Sequence, residues 1–276
     1  MIPDHNKTAD APHFDYIVIG SGSAGSALTY RLGENKAHKI LVLEYGGSDA
    51  GPFIQMPAAL SYPMNMARYD WGYNAEPEDS LNGRAIVCPR GKVIGGSSSI
   101  NGMIYVRGNA GDYDHWQDAG ADGWSYADVL PYFKRAEHAE ALNNRPGWGA
   151  DGQLSDEYHG TGGFLNVSDI RSQYVALDRI TDAAEACGYP RNSDFNGASQ
   201  EGFGYYQVTQ KSGLRHSTKK AYLDPIKGRA NLTIITGAHV TELLFDSENT
   251  KKVTGVHCLY RGRQQQILAT REVILS

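Results

Sequence analysis

"FDYIVIGSGSAGSALTYRL", Phe14 to Leu32, is the stretch that decides the fold. Its first half is β-branched and aromatic, the signature of a short buried strand. Its second half passes through Gly20-x-Gly22-x-x-Gly25 into a helix with Ala24, Ala27, Leu28 and Leu32 on one side. "KILVLE" (Lys39 to Glu44) then supplies a second buried strand. Strand, glycine turn, helix and strand in that order open a doubly wound α/β fold with a Rossmann-like parallel sheet.

The turn has a chemical reading as well. Gly20 makes the tight bend, Gly22 lets a pyrophosphate approach the backbone, and Gly25 lets the helix pack on the strand. Ser21, Ser23 and Ala24 complete the turn, whose free N–H groups sit at the positive end of the helix dipole. Each such helix-end contribution is worth only ~0.3–1 kcal/mol, so tight binding needs further contacts. Glu44 stands nineteen residues beyond Gly25, at the end of the second strand. A carboxylate there can accept from a ribose hydroxyl and repels a 2′-phosphate, which favours FAD or NAD over NADP.

Downstream, residues 45–88 are rich in Gly, Pro, Met, Tyr and Trp without a sustained period. The aromatics Tyr62, Tyr69, Trp71 and Tyr73 favour an ordered cofactor cover over disorder. "SYADVLPYFKRAE" predicts a helix capped by Ser125, with Asp128 in its first turn, Lys134 and Arg135 near its end, and a kink at Pro131. Residues 138–163 read as a second irregular passage. "GFLNVS" and "GYYQVTQ" read as strands. "SQYVALDRITDAAEACG" predicts a helix with Tyr174, Leu177, Ile180, Ala184 and Cys187 on one face and Gly188 at C′. "HSTKKAYL" predicts a helix from Ser217. "NLTIITGAHVTELLFD", "KVTGVHCLY" and "REVIL" give four strands in close order, a β-meander returning to the sheet.

The remaining bulk properties narrow the class. With 276 residues, 41% apolar content and a net charge of −5, the chain is long enough for a core and poorly suited to nucleic acid. Cys88, Cys187 and Cys258 are too widely spaced for a zinc site or a disulfide framework, which predicts no metal and a cytoplasmic setting. No apolar run reaches transmembrane length. "MIPDHNKTADAPH" lacks an apolar segment and reads as a disordered tail, not a signal peptide.

The choice between flavin and nicotinamide rests on a second glycine-rich passage. "GKVIGGSSSINGMIYVRGNAGDYD" resembles the signature of the glucose-methanol-choline (GMC) oxidoreductases through Gly91-Lys92, Gly95-Gly96, Ser97-Ser98, Asn101, Tyr105, Gly108 and Asp114. "LVLEYGG", "DWGY", "AYLD", "NLTIITGAHV" and "REVILS" look like family segments in family order, so the resemblance covers nearly all of the chain from Phe14. Choline dehydrogenases and related alcohol dehydrogenases are the most similar branch. The resemblance implies an FAD site in two parts. The first glycine turn holds the pyrophosphate; Val93, Gly95, Gly96, Ser97, Asn101, Gly102, Met103 and Ile104 address the flavin; Val240 holds the adenine through its backbone. Taken without the motif, Val93, Ile104 and Val240 read as core residues. Some members attach FAD covalently through a histidine just before the asparagine; Ile100 stands there, so non-covalent FAD is expected.

The activity so implied is oxidation of a small primary alcohol, choline-like or other, to the aldehyde by hydride transfer to flavin N5, with an unknown electron acceptor. Peripheral attachment to the inner membrane is compatible with that branch. The family's catalytic histidines lie near its C-terminus and this chain stops at "REVILS", which predicts an N-terminal fragment without the catalytic pair. His115 and His216 read as structural or exposed, and no catalytic residue is assigned before Ser276. A non-catalytic FAD-binding or assembly module is the alternative, and a nicotinamide dehydrogenase a third reading. The expected division is a tail at 1–13, an FAD-binding domain at 14–155 and 215–276, and part of an α+β substrate-binding domain at 156–214.

Overall fold

A computed structural model describes residues 11–140, 153–172 and 174–276. Most of the expected tail and the middle of the passage at 138–163 lie outside the described residues. In chain order the main elements are β1 (His13–Ile19), α1 (Ser23–Leu32), β2 (Ile40–Glu44), α2 (Ala110–Asp118), α3 (Tyr126–Ala136), β3 (Glu137–Ala139), β4 (Leu165–Val167), α4 (Val175–Ala186), β5 (Leu232–Thr236), β6 (Ala238–Phe245), β7 (Val253–Tyr260) and β8 (Arg263–Leu275). They form two compact units, one of residues 1–102 and 217–276, the other of residues 103–216.

The first unit is built on a six-stranded sheet in the order β5-β2-β1-β8-β7-β6. β5, β2, β1 and β8 run parallel, and β8-β7-β6 form the antiparallel meander. β8 belongs to both halves: Arg263–Leu268 pair with β7, and Leu268–Leu275 pair with β1. Alternation along the strands splits the core between two faces. Ile17, Leu41, Leu43, Ile235 and Val256 pack on one side, and Val18, Ile40 and Val42 with Leu32 of α1 on the other. Every residue of β2 is buried, as expected of a strand covered on both faces.

α1 departs from the expected face. Gly25, Ser26 and Thr29 are its buried residues, whereas Ala24 is exposed and Ala27 and Leu28 only half-buried. The physical reason is close approach. A Cβ on Gly25 would lie 2.3 Å from the Gly20 carbonyl oxygen, and Ser26 Oγ donates to the Ser21 carbonyl at 2.8 Å. Larger apolar side chains cannot enter so narrow a gap.

Residues 45–88 are ordered by short helical turns at Pro52–Gln55, Pro57–Ala59 and Pro63–Asn65. Tyr69 is buried there with Ile54, Val93 and Ile100. The helix expected from Ser217 is a single π-turn, Lys219–Leu223, running into a 3₁₀ turn at Asp224–Ile226. The strand start at His13 and a bond from Leu268 N–H to the Pro12 carbonyl (3.0 Å) take the last residues of the expected tail into the sheet.

The second unit comprises residues 103–216. Ile104–Tyr105 pair with Gln207–Val208, and β3 pairs with β4. The passage "GYYQVTQ" is a strand only at Gln207–Val208 and again at Gln210–Lys211. α3 carries the expected cap: Ser125 and Asp128 satisfy each other's backbone N–H groups, and the helix runs on through Pro131. α4 ends as expected, with Gly188 at a φ of +89°. Its apolar face is not buried, however. Tyr174, Val175, Leu177 and Ile180 are exposed, and Thr181 and Ala184 are the buried positions.

The interior of this unit is charged. Glu137, fully buried, accepts from Arg107 Nη2 at 2.8 Å and lies 3.0 Å from His159 Nδ1. His159 Nε2 reaches Asp194 at 2.9 Å. A backbone N–H from Gly160 also reaches Glu137, at 3.2 Å.

Candidate functional site

At the C-terminal ends of β1 and β2 the first unit carries a cleft of about 580 Å³, within the range of about 300–1,000 Å³ usual for ligand pockets. Parallel sheets place ligands at this edge because glycine turns and helix N-termini meet there.

The floor is made by the turn at residues 20–25. Gly20 has a φ of +94°, which favours glycine, and the bend brings α1 to the cleft. α1 starts at Gly22 without a side-chain cap and without an acid in its first turn, so its leading N–H groups are left for an anion. A Cβ on Gly22 would meet no atom within 4 Å. No protein atom requires glycine there, and the open side leaves room for a ligand against the backbone.

The second glycine passage lies on the first. Gly95 N–H donates to the Ser21 carbonyl at 3.0 Å. A Cβ on Gly96 would be 2.6 Å from Gly22 Cα, so two backbones touch where side chains would keep them apart. Gly46 is equally close to Val93, and Ile94 N–H donates to the Gly47 carbonyl at 3.0 Å. Ser97 and Gly91 thereby reach the rim of the cleft.

Glu44 is buried, and its carboxylate holds the turn together. Oε2 accepts from Ser21 N–H (2.9 Å) and Ser21 Oγ (2.6 Å), and Oε1 accepts from Gly46 N–H (2.7 Å). A carboxylate has about four acceptor positions, and Glu44 still lines the cleft. It braces the protein as well as facing the place expected for a ribose.

Of the predicted positions, Gly20, Gly22, Ser23, Glu44, Gly96, Ser97 and Val240 line the cleft. Ser21, Gly25 and Gly95 stand behind them in the turn contacts. Ala24, Asn101 and Gly102 are exposed and do not line it. Val93 is fully buried among Ile54, Tyr69 and Ile100, so its side chain is core while its backbone bridges to Gly47. Met103 and Ile104 fall in the second unit, where Met103 is buried and Ile104 pairs with Val208. His115 is exposed, and His216 is buried with Nδ1 accepting from Asn166 N–H.

Sequence reasoning missed Tyr45, Arg90 and His239, which also line the cleft, and placed Trp71 only in a general cofactor cover. Tyr45 stacks on Trp71 with centroids 4.7 Å apart and 19° between planes; His239 stands edge-on to Tyr45 at 4.6 Å. Tyr45 directly follows Glu44, and that adjacency was the available signal.

These residues fit a dinucleotide: an uncapped helix start, a backbone cradle open at Gly22, and a carboxylate at the end of β2. The family model described as "GMC oxidoreductase" matches residues 14–276. The chain belongs to the GMC oxidoreductase family. Among GMC oxidoreductases it is similar to oxygen-dependent choline dehydrogenase of Rhizobium etli (strain CIAT 652), with 49% identity over 263 residues, 95% of this chain and 45% of that protein. The protein of the same description from Brucella suis biovar 1 (strain 1330) is 45% identical over 262 residues, again 95% and 45% of the two chains. Pyridoxine 4-oxidase from Mesorbium loti superposes with a TM-score of 0.84 at 30% identity, over 95% of this chain and 49% of that one. An FAD-dependent oxidoreductase from Chaetomium thermophilum gives 0.86 at 28%, over 95% and 45%. The chain therefore spans about half the length of the curated relatives it matches. FAD is the cofactor that the GMC family and these fold neighbours support. Among the described residues no helix is long and apolar enough to cross a membrane.

Proposed function

We propose that this chain binds FAD non-covalently in the cleft and supplies the cofactor-binding part of an enzyme oxidising a small primary alcohol of the choline type to the aldehyde. The observation that carries the reading is the contact of the two glycine passages over one cleft, Gly96 on Gly22, with the Gly22 side left open. FAD, when bound, would supply the two-electron acceptor for the alcohol's oxidation. The backbone at Gly22 and the start of α1 hold the diphosphate, Glu44 orients the ribose, Ser97 offers a hydroxyl, and Val240 flanks the base. Asn101 to Ile104 are proposed to address the flavin end, and the second unit to form part of the substrate-binding domain. Ile100 has no nucleophilic atom and is buried in an apolar cluster, which supports non-covalent binding.

His239 is the one histidine lining the cleft among the described residues, and it stands beside Tyr45. The proposal places it at the nucleotide end and assigns the alcohol's general base to sequence outside this chain, in keeping with a match to 45% of the relatives.

The purified chain should show the visible bands of oxidised flavin, and acid or urea should release all of the flavin into the filtrate. Flavin that stays with the denatured chain would refute non-covalent attachment; a colourless chain that takes up no added FAD would refute the binding itself. Turnover of choline with an artificial acceptor by this chain alone would overturn the assignment of the base.

A further inference from the structure

We propose that the outward apolar side of α4 is a docking surface, and that its occupant is the part of the GMC relatives that lies outside their match to this chain. The inference does not depend on FAD binding, since no residue of α4 lines the cleft.

The helix is turned the wrong way round for the surface of a closed domain. Its period puts Ala176, Leu177, Ile180 and Ala183 on one side of α4 with Cys187 at the C-cap, and no charged residue interrupts that side. An amphipathic helix turns such a side to the core. Here all five are exposed, Leu177 at 44% and Ile180 at 57%. The helix is held to its unit through small and polar groups instead. Thr181 and Ala184 are its buried residues, Asp178 accepts from Tyr205 Oη at 2.7 Å, and Asp182 accepts from Arg191 Nη2 at 2.7 Å. Single exposed apolar residues are ordinary on a protein surface, but a continuous apolar stripe marks a contact. The relatives name what covers it. This chain matches 45% of the Rhizobium etli protein and 49% of pyridoxine 4-oxidase, so each carries about as much chain again outside the match. A stripe without charge asks for an apolar face in return and offers nothing to an acidic or basic partner.

The test is co-expression of the full chain, carrying an affinity tag, with the part of the Rhizobium etli protein outside the match. The two should co-purify. Leu177→Lys and Ile180→Lys should each weaken the association at least about tenfold, as expected of a central residue in an apolar contact. The same variants alone should melt with the parent, because neither side chain is buried. Arg179→Ala, on the charged side, should associate as the parent does. Cys187 is the exposed one of the three thiols, so a maleimide should label it readily in the chain alone and much more slowly in the complex, a readout that needs no substitution. Failure to co-purify, full association of the lysine variants, or an unchanged labelling rate at Cys187 would each overturn the proposal. A parent chain that dimerises alone and is made monomeric by Ile180→Lys would assign the stripe to a second copy and overturn it as well. Flavin bands read in the same samples report separately on FAD binding.

Discussion

Gly22→Val is expected to leave the fold in place and abolish most FAD binding. The backbone at Gly22 has a φ of −67° and a ψ of −163°, open to any residue, and the added Cβ meets no protein atom within 4 Å. The flavin-free variant should therefore melt within about 0.5 kcal/mol of the parent, as for substitutions that disturb no packing. The isopropyl group then occupies the place proposed for the diphosphate. Overpacking of this kind costs about 1–3 kcal/mol, which corresponds to a loss of about 5- to 150-fold in affinity. Gly25→Val is the control. Its Cβ would lie 2.3 Å from the Gly20 carbonyl oxygen and 2.4 Å from Ser276 Oγ, so the fold itself should suffer. Thermal melts and FAD titrations of the two variants separate the roles; equal loss of stability in both would sink the assignment of Gly22 to the ligand.

The second large effect is expected at Glu137. Arg107 and His159 converge on this buried carboxylate, and removing one partner of a buried ion pair costs about 3–5 kcal/mol. Glu137→Ala should therefore shift the urea midpoint more than any surface substitution. The same cluster makes stability depend on pH. Burial pulls the His159 pKa down, but the hydrogen bonds to Asp194 and Glu137 outweigh it and hold the group at about 9. In the unfolded chain a histidine titrates near ~6.5. The folded value is the higher one, so folding takes up a proton between them. The stabilisation is complete below ~6.5 and is lost as pH rises through about 9. Urea unfolding at pH 6 and pH 9.5 should show the parent losing stability and His159→Gln losing much less. Parallel pH profiles would overturn the charged state assigned to His159.

How much could be read beforehand follows the distance between partners. β1, the glycine turn and β2 were legible because their signals lie within about thirty residues, and the Ser125–Asp128 cap because it spans one helical turn. The charged cluster was not, since Arg107, Glu137, His159 and Asp194 sit on separate segments and no period connects them. The face of α1 was misjudged because hydrophobicity alone says nothing of a gap that admits only Gly25, Ser26 and Thr29. α4 erred the other way: Leu177 and Ile180 have the spacing of a buried face and are exposed. At the cleft, the motif named the residues that touch through backbone, Gly22 and Gly96, but not the stacked pair Tyr45 and Trp71, two rings that meet across 26 positions.

Ser276, which directly follows β8, also bears on how the site comes into being. Ser276 Oγ donates to the carbonyls of Ile19 and Gly20 at 3.0 and 3.1 Å, and its N–H to the Ile19 carbonyl at 3.0 Å. The nucleotide turn, written within the first twenty-five residues, is thus closed by a segment that leaves the ribosome more than 250 positions later. Contacts of such long range form late in folding. Cofactor capture during synthesis should wait for β8 to emerge, so nascent chains stalled before it should acquire no flavin.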